Sequence, residues 1–191
     1  QTSWGLSTRS IGALVLVHGD DSGLVLPPKV ASPQVVIIML ADSSNESKIT
    51  DYAEKISKLI REQGFEIIID KDNHHSLGYR INEWELKGIP LRIEIGKKEV
   101  EGNTVTFVRR DTFEKISTAQ NEAGKKAKEV LDDMQKNLLN RSAEIRKKLT
   151  YDLDSFAEMK KVFQKEKIFV RGFWCEDVTC EAKIKEETKA S

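Results

Sequence analysis

Neither sign of charge is in excess in this chain: thirty-one Lys and Arg offset thirty-one Asp and Glu. The overall basic surplus usual for a nucleic-acid binder is missing, so any such surface must be local. Long apolar runs are missing too. The longest, Val35 to Leu40, is strand-length, against the roughly 20 residues that span a bilayer. No basic-then-apolar leader opens the sequence, so a cytoplasmic protein with no membrane partner is expected. Cysteine is reduced to Cys175 and Cys180. A C-x4-C pair is half of a zinc set, but zinc takes four ligands. His18, His74 and His75 stand about a hundred residues or more upstream, and two free thiols are expected. Glycine is absent from residues 41–48, just after the first predicted strand. That removes the phosphate-cradling turn of a small-molecule α/β domain.

What is present is an alternation of elements. Residues 34–40 are β-rich and apolar throughout, as a strand covered on both faces requires. Residues 48–63 place Ile49, Tyr52, Ala53, Ile56, Leu59 and Ile60 at helical spacing, and Gly64 is a natural stop. Phe65 to Asp70 reads as a second strand, and 75–88 as irregular or short-helical. Leu91 to Ile95 reads as a third strand with Arg92 and Glu94 on one face. The pair Gly102-Asn103 turns into a fourth strand, 104–108, as a hairpin. A long amphipathic helix fits 119–149, with Ala127, Val130, Leu131, Met134 and Leu138 on one stripe. The fold class expected is α/β, a mixed sheet flanked by helices.

Upstream of the alternation, Ile11 to Val17 is an apolar run that fits a buried helix or strand equally well. Turn residues follow at His18 to Gly23, then a proline-stiffened linker to Pro33. Downstream, a helix at 154–166, a strand at 168–174 and a helix at 178–189 predict a small α+β unit. The division expected is 1–33, 34–138 and 139–191.

Two stretches have the residue types for RNA. Residues 78–98 set Trp84 beside Glu83 and Glu85, then Arg92, Glu94, Lys97 and Lys98, around a Gly-Ile-Pro turn. A carboxylate accepts from guanine N1–H and N2–H, while Arg or Lys donates to O6 and N7, so charges on one strand edge can read a splayed base. The same pattern equally describes an ion-pair ladder on an exposed strand. Residues 125–148 carry eight basic and four acidic side chains, a diffuse phosphate-facing patch or a solvated helix face. His74 and His75 read as exposed loop residues.

The run from Gly78 to Gly96, with Val108 to Thr112 after it, resembles the anticodon-binding domain of the prolyl-tRNA synthetases, class II enzymes. Gln1 to Gly12, His18 to Asp21 and Gly23 to Val30 resemble the third signature motif of that family's catalytic domain and its exit linker. Phe169 to Arg171, Trp174-Cys175 and Cys180 to Thr188 resemble the start of the C-terminal zinc-associated domain of the archaeal and eukaryotic type. The resemblance implies anticodon reading at Glu85, Arg92, Lys98 and, across a possible gap, Lys115. It implies a role for Arg9 at the ATP γ-phosphate, a proline and adenylate pocket lined by Gly5 and Ser7 and walled by Trp4, and zinc ligation by Cys175 and Cys180 in a longer chain. ATP and Mg²⁺, proline, proline tRNA through its anticodon stem-loop, and a homodimer belong to the whole enzyme in that family. The first two signature motifs are not in this sequence. It is therefore expected to bind tRNA, without zinc or catalysis of its own, inside a proline–tRNA ligase. The alternative is a non-catalytic, synthetase-like accessory module that binds tRNA.

Overall fold

The computed structural model describes residues 5–41, 44–164 and 168–190; Trp4 lies outside them. Strand β1 (Val35–Met39) is buried along its whole length, which is why its sequence shows no alternation. It pairs in parallel with β2 (Ile67–Asp70) on one side and β3 (Leu91–Ile95) on the other. Strand β4 (Thr104–Arg109) is antiparallel to β3, and β5 (Lys115–Ala119) is antiparallel to β4. The order β2-β1-β3-β4-β5 gives the mixed sheet that the sequence predicts.

Helix α1 (Arg9–His18) precedes the sheet. It is helical, but none of its residues is buried, and Leu16 is 88% exposed. The burial expected for Ile11 to Val17 is not found, because nothing among the described residues covers this apolar stretch. Helix α2 (Glu46–Arg61) and helix α5 (Ala123–Lys148) cover one face of the sheet. Ile49, Ile56, Val130 and Met134 pack there on Val35, Ile37, Leu91, Ile93 and Phe107. Each such fully buried side chain contributes about 1.5–3 kcal/mol, so this layer dominates the stability of the sheet.

Helix α3 (Leu77–Lys87) covers part of the other face, where Ile81 and Trp84 pack on Val36, Ile38 and Ile89. It is a full helix, where the sequence predicts something irregular or short. Two residues hide it. Gly78 weakens the helical propensity, and the inward position 80 is an arginine, buried to 6% exposure. Arg80 is satisfied by the Asp70 carboxylate (3.1 Å), the Asp70 carbonyl (2.8 Å) and the Met39 carbonyl (3.1 Å). The Ser76 hydroxyl caps the helix start by accepting from the Tyr79 N–H, and Gly88, at φ 74°, ends it.

Strands β3 and β4 are antiparallel, as expected, but the short helix α4 (Lys97–Gly102) joins them instead of a tight turn. Strand β5 is absent from the sequence reading. It is a largely exposed edge strand that packs only the partly buried Ile116 against the core, too little apolar content to signal itself.

The chain divides into two compact units, Gln1–Leu139 and Asn140–Ser191. In the second, β6 (Thr150–Asp152) pairs in parallel with β7 (Phe169–Arg171), accompanied by α6 (Phe156–Phe163) and α7 (Val178–Thr188). Strand β6 is another element the periodicity does not reveal, being three residues long. Among the described residues of this unit none is fully buried, and Phe173 is 92% exposed.

Candidate functional site

Alternation along β3 sends Leu91, Ile93 and Ile95 into the main core and leaves Arg92 and Glu94 half-buried. Register then aligns Arg92 with Val108 of β4 and Lys115 of β5. The outcome is a charged ladder. Arg92 donates to the Glu85 carboxylate at 2.6 Å and to Glu94 at 3.2 Å, and Lys115 donates to Glu94 at 3.0 Å. Glu85, on the last turn of α3, supplies the end of the ladder that lies off the sheet.

The side chains of Glu85, Arg92 and Glu94 are 18%, 11% and 14% exposed, and that of Lys115 is 63%. They are shielded enough to hold their geometry and open enough to be reached. A carboxylate offers acceptors only and guanidinium a fixed fork of donors. Together they match the donor and acceptor edge of a nucleobase. Of the residues the sequence singles out, Glu85, Arg92 and Lys115 are brought together. Lys98 stands exposed on the first turn of α4 and is not part of the ladder. Glu94, which the sequence offers only as a strand charge, joins Arg92 to Lys115.

Trp84, Arg109 and Arg110 line the same small cavity as Glu85 and Arg92. Trp84 donates its indole N–H to Asp70 at 2.8 Å, sharing that carboxylate with Arg80. Burial of Asp70 works to raise its pKa, but the hydrogen bonds from Arg80 and Trp84 outweigh it and the net shift is downward. Arg110 donates both terminal nitrogens to Asp20, at 2.7 and 2.6 Å, and its Nε to the Glu85 carbonyl at 3.1 Å. Arg109 forks onto Asp111 at 2.9 Å on both arms and reaches Asp133 of α5 at 2.6 Å. The sequence carries the signal for these contacts only as the charged run Arg109-Arg110-Asp111, without partners.

The remaining expected site residues lie elsewhere. Gly5 and Ser7 are exposed, and a Cβ added at Gly5 would meet nothing within 4 Å. Arg9 opens α1, its N–H against the Ser7 hydroxyl at 3.4 Å. Cys175 and Cys180 are exposed free thiols, hydrogen-bonded to each other. The Asp177 N–H and then Cys180 lower the Cys175 pKa, while the bond to Cys175 raises that of Cys180. Among the described residues no group of three or more His, Cys, Asp or Glu is arranged for a metal. The two thiols supply half of a tetrahedral zinc set and do not complete one. His75 stacks on Tyr79 at 4.3 Å and bonds Asp72 at 2.6 Å, and both it and His74 are exposed. Lys126 and Lys128 pair with Glu129 and Asp132 one turn on, as a solvated helix face does. No helix among the described residues is long and apolar enough to cross a membrane.

The anticodon binding domain family model matches residues 34–130, the stretch that contains the sheet and the ladder. Proline–tRNA ligase of Natranaerobius thermophilus is 36% identical over 191 residues, covering 100% of this chain and 39% of that protein. Proline–tRNA ligase of Acetoanaerobium sticklandii is 41% identical over 187 residues, covering 98% and 38%. The crystal structure of prolyl-tRNA synthetase from Cryptosporidium parvum complexed with L-proline and AMP superposes with a TM-score of 0.90 at 34% identity, covering 97% of this chain and 40% of that one. The chain therefore spans about two fifths of the length of the relatives it matches.

Proposed function

Because this chain belongs to the family of anticodon binding domains, we propose that it reads the anticodon of proline tRNA within a proline–tRNA ligase. The observation that carries the reading is the ladder Glu85–Arg92–Glu94–Lys115. Without RNA these groups satisfy one another. A guanine entering from the open side would offer N1–H and N2–H to Glu85, and O6 and N7 to Arg92, so each charge exchanges one partner for another. That exchange favours a base with the complementary edge, because a mismatched one leaves a half-buried charge unpaired. Lys98 and Lys115, both exposed, complete the reading of the two guanines in this proposal. The test is a binding titration of the anticodon stem-loop of proline tRNA. Glu85→Ala and Arg92→Ala should each cost about 1–3 kcal/mol, by analogy with bidentate base contacts in DNA. Equal affinity of the wild type and Glu85→Ala would remove Glu85 from the site.

The larger reading rests on the names of the relatives. In it, the whole protein activates proline with ATP and Mg²⁺ as prolyl-adenylate, then transfers the prolyl group to tRNA, in the cytoplasm and as a homodimer. Arg9 would hold the ATP γ-phosphate through bidentate, always-charged hydrogen bonds, with Gly5, Ser7 and Trp4 at the adenylate pocket. Residues 1–33 would then be the end of the catalytic domain, 34–138 the anticodon reader and 139–191 the start of a zinc-associated domain.

A further inference from the structure

We propose that Arg110 is a positioning residue for base reading, aiming the Glu85 carboxylate at Arg92 while Asp20 holds its guanidinium in place. The inference rests on the reading of Glu85 and Arg92 just given. Glu85 has two ends under control. Its carboxylate meets Arg92 at 2.6 Å, and its carbonyl accepts from Arg110 Nε at 3.1 Å. That carbonyl also accepts from the Gly88 N–H at 3.0 Å, which closes the helix end, and the Arg110 bond adds a tertiary anchor that ties this turn to the residue following β4. The Arg110 side chain is 2% exposed, which excludes it from touching RNA itself.

The fork of Arg110 is in turn set by Asp20, bidentate at 2.7 and 2.6 Å. The bond to Arg110 lowers the Asp20 pKa, keeping the carboxylate charged. Backbone contacts make the same junction rigid. Leu24 N–H donates to the Leu86 carbonyl at 3.1 Å, and Leu26 N–H to the Gly88 carbonyl at 3.2 Å. The approach is close enough to need glycine on both sides. A Cβ at Gly23 (φ 125°) would lie 2.6 Å from the Leu86 Cα, and one at Gly88 (φ 74°) 2.5 Å from the Leu24 Cβ. Residues 20–26 thus clamp the C-terminal turn of α3, and the Arg110 side chain joins that clamp to the turn carrying Glu85.

The test uses the full chain and two RNAs: the anticodon stem-loop of proline tRNA, and the same loop with a guanine of the anticodon replaced by adenine. Arg110→Lys keeps the charge but not the planar fork, so it cannot serve Asp20 and Glu85 together. It should lose about tenfold of the affinity for the guanine loop. Affinity for the adenine loop, and the slope of log K against log salt, should stay as in the wild type. Asp20→Asn, on the more exposed partner, should shift discrimination in the same direction by less. Several results would overturn the proposal: wild-type discrimination in both variants while Glu85→Ala has lost it, a salt slope reduced by about one as for a direct phosphate contact, or loss of folding in both. Wild-type discrimination in Glu85→Ala would instead remove the base-reading role on which the proposal rests.

Discussion

Asp111 shows how much one residue holds at the turn between β4 and β5. Its side chain has no exposed surface. Arg109 meets it on two arms at 2.9 Å, and the Asn137 amide donates at 2.7 Å. Burial works to raise the Asp111 pKa, and the bonds from Arg109 and Asn137 more than reverse it. Asp111→Ala leaves a guanidinium that is 9% exposed with one remaining partner, Asp133. The expected loss is about 3–5 kcal/mol, as for other broken buried pairs, measured as a fall in the urea midpoint. A loss under 1 kcal/mol would mean that Asp133 and water replace the missing carboxylate.

At the scale of the element, α3 is the part whose position decides the site. It brings an inward arginine to Asp70, an indole to the same carboxylate, and Glu85 to Arg92 of β3. Its start depends on Ser76, whose hydroxyl accepts from the Tyr79 N–H at 3.3 Å. Ser76→Ala should cost about 1 kcal/mol and speed amide exchange in residues 77–80 more than in β1. Uniform acceleration across the sheet would show that the cap matters only through global stability.

At the scale of the whole molecule, the first compact unit carries three arginine-paired carboxylates held below their ordinary pKa, Asp20, Asp70 and Asp111, besides Asp72, which the hydrogen bond from His75 lowers to about 2. Each of the three is paired with an arginine in the folded state and returns to about 3.9 when unfolded. The folded state therefore binds protons less readily than the unfolded one, so their stabilisation is complete above the unfolded value. It is lost as pH falls through the folded values. Urea midpoints should be level from pH 7 to about 5 and drop steeply below about 4. Asp111→Ala should flatten that drop, and an acid limb unchanged in the variant would deny Asp111 a part in it.

The sequence alone determined the main layer of the sheet. Fully apolar β1, the alternation of β3 and the helical stripes of α2 and α5 are periodic signals that burial imposes. It also carried Glu85, Arg92 and Lys115, through the resemblance of the surrounding run. It did not reveal α3 as a full helix, since Arg80 stands where an apolar residue is expected and its compensation comes from Asp70, ten residues away. Nor did it reveal β5, which packs one partly buried side chain on the core, or the exposure of α1. Only the tertiary structure decided that Arg92 faces Glu85 and Glu94 at once and that Arg110 ties Asp20 to the turn carrying Glu85. Ion pairs across 90 residues leave no periodic trace, because register and close backbone approach, not local pattern, bring their partners together.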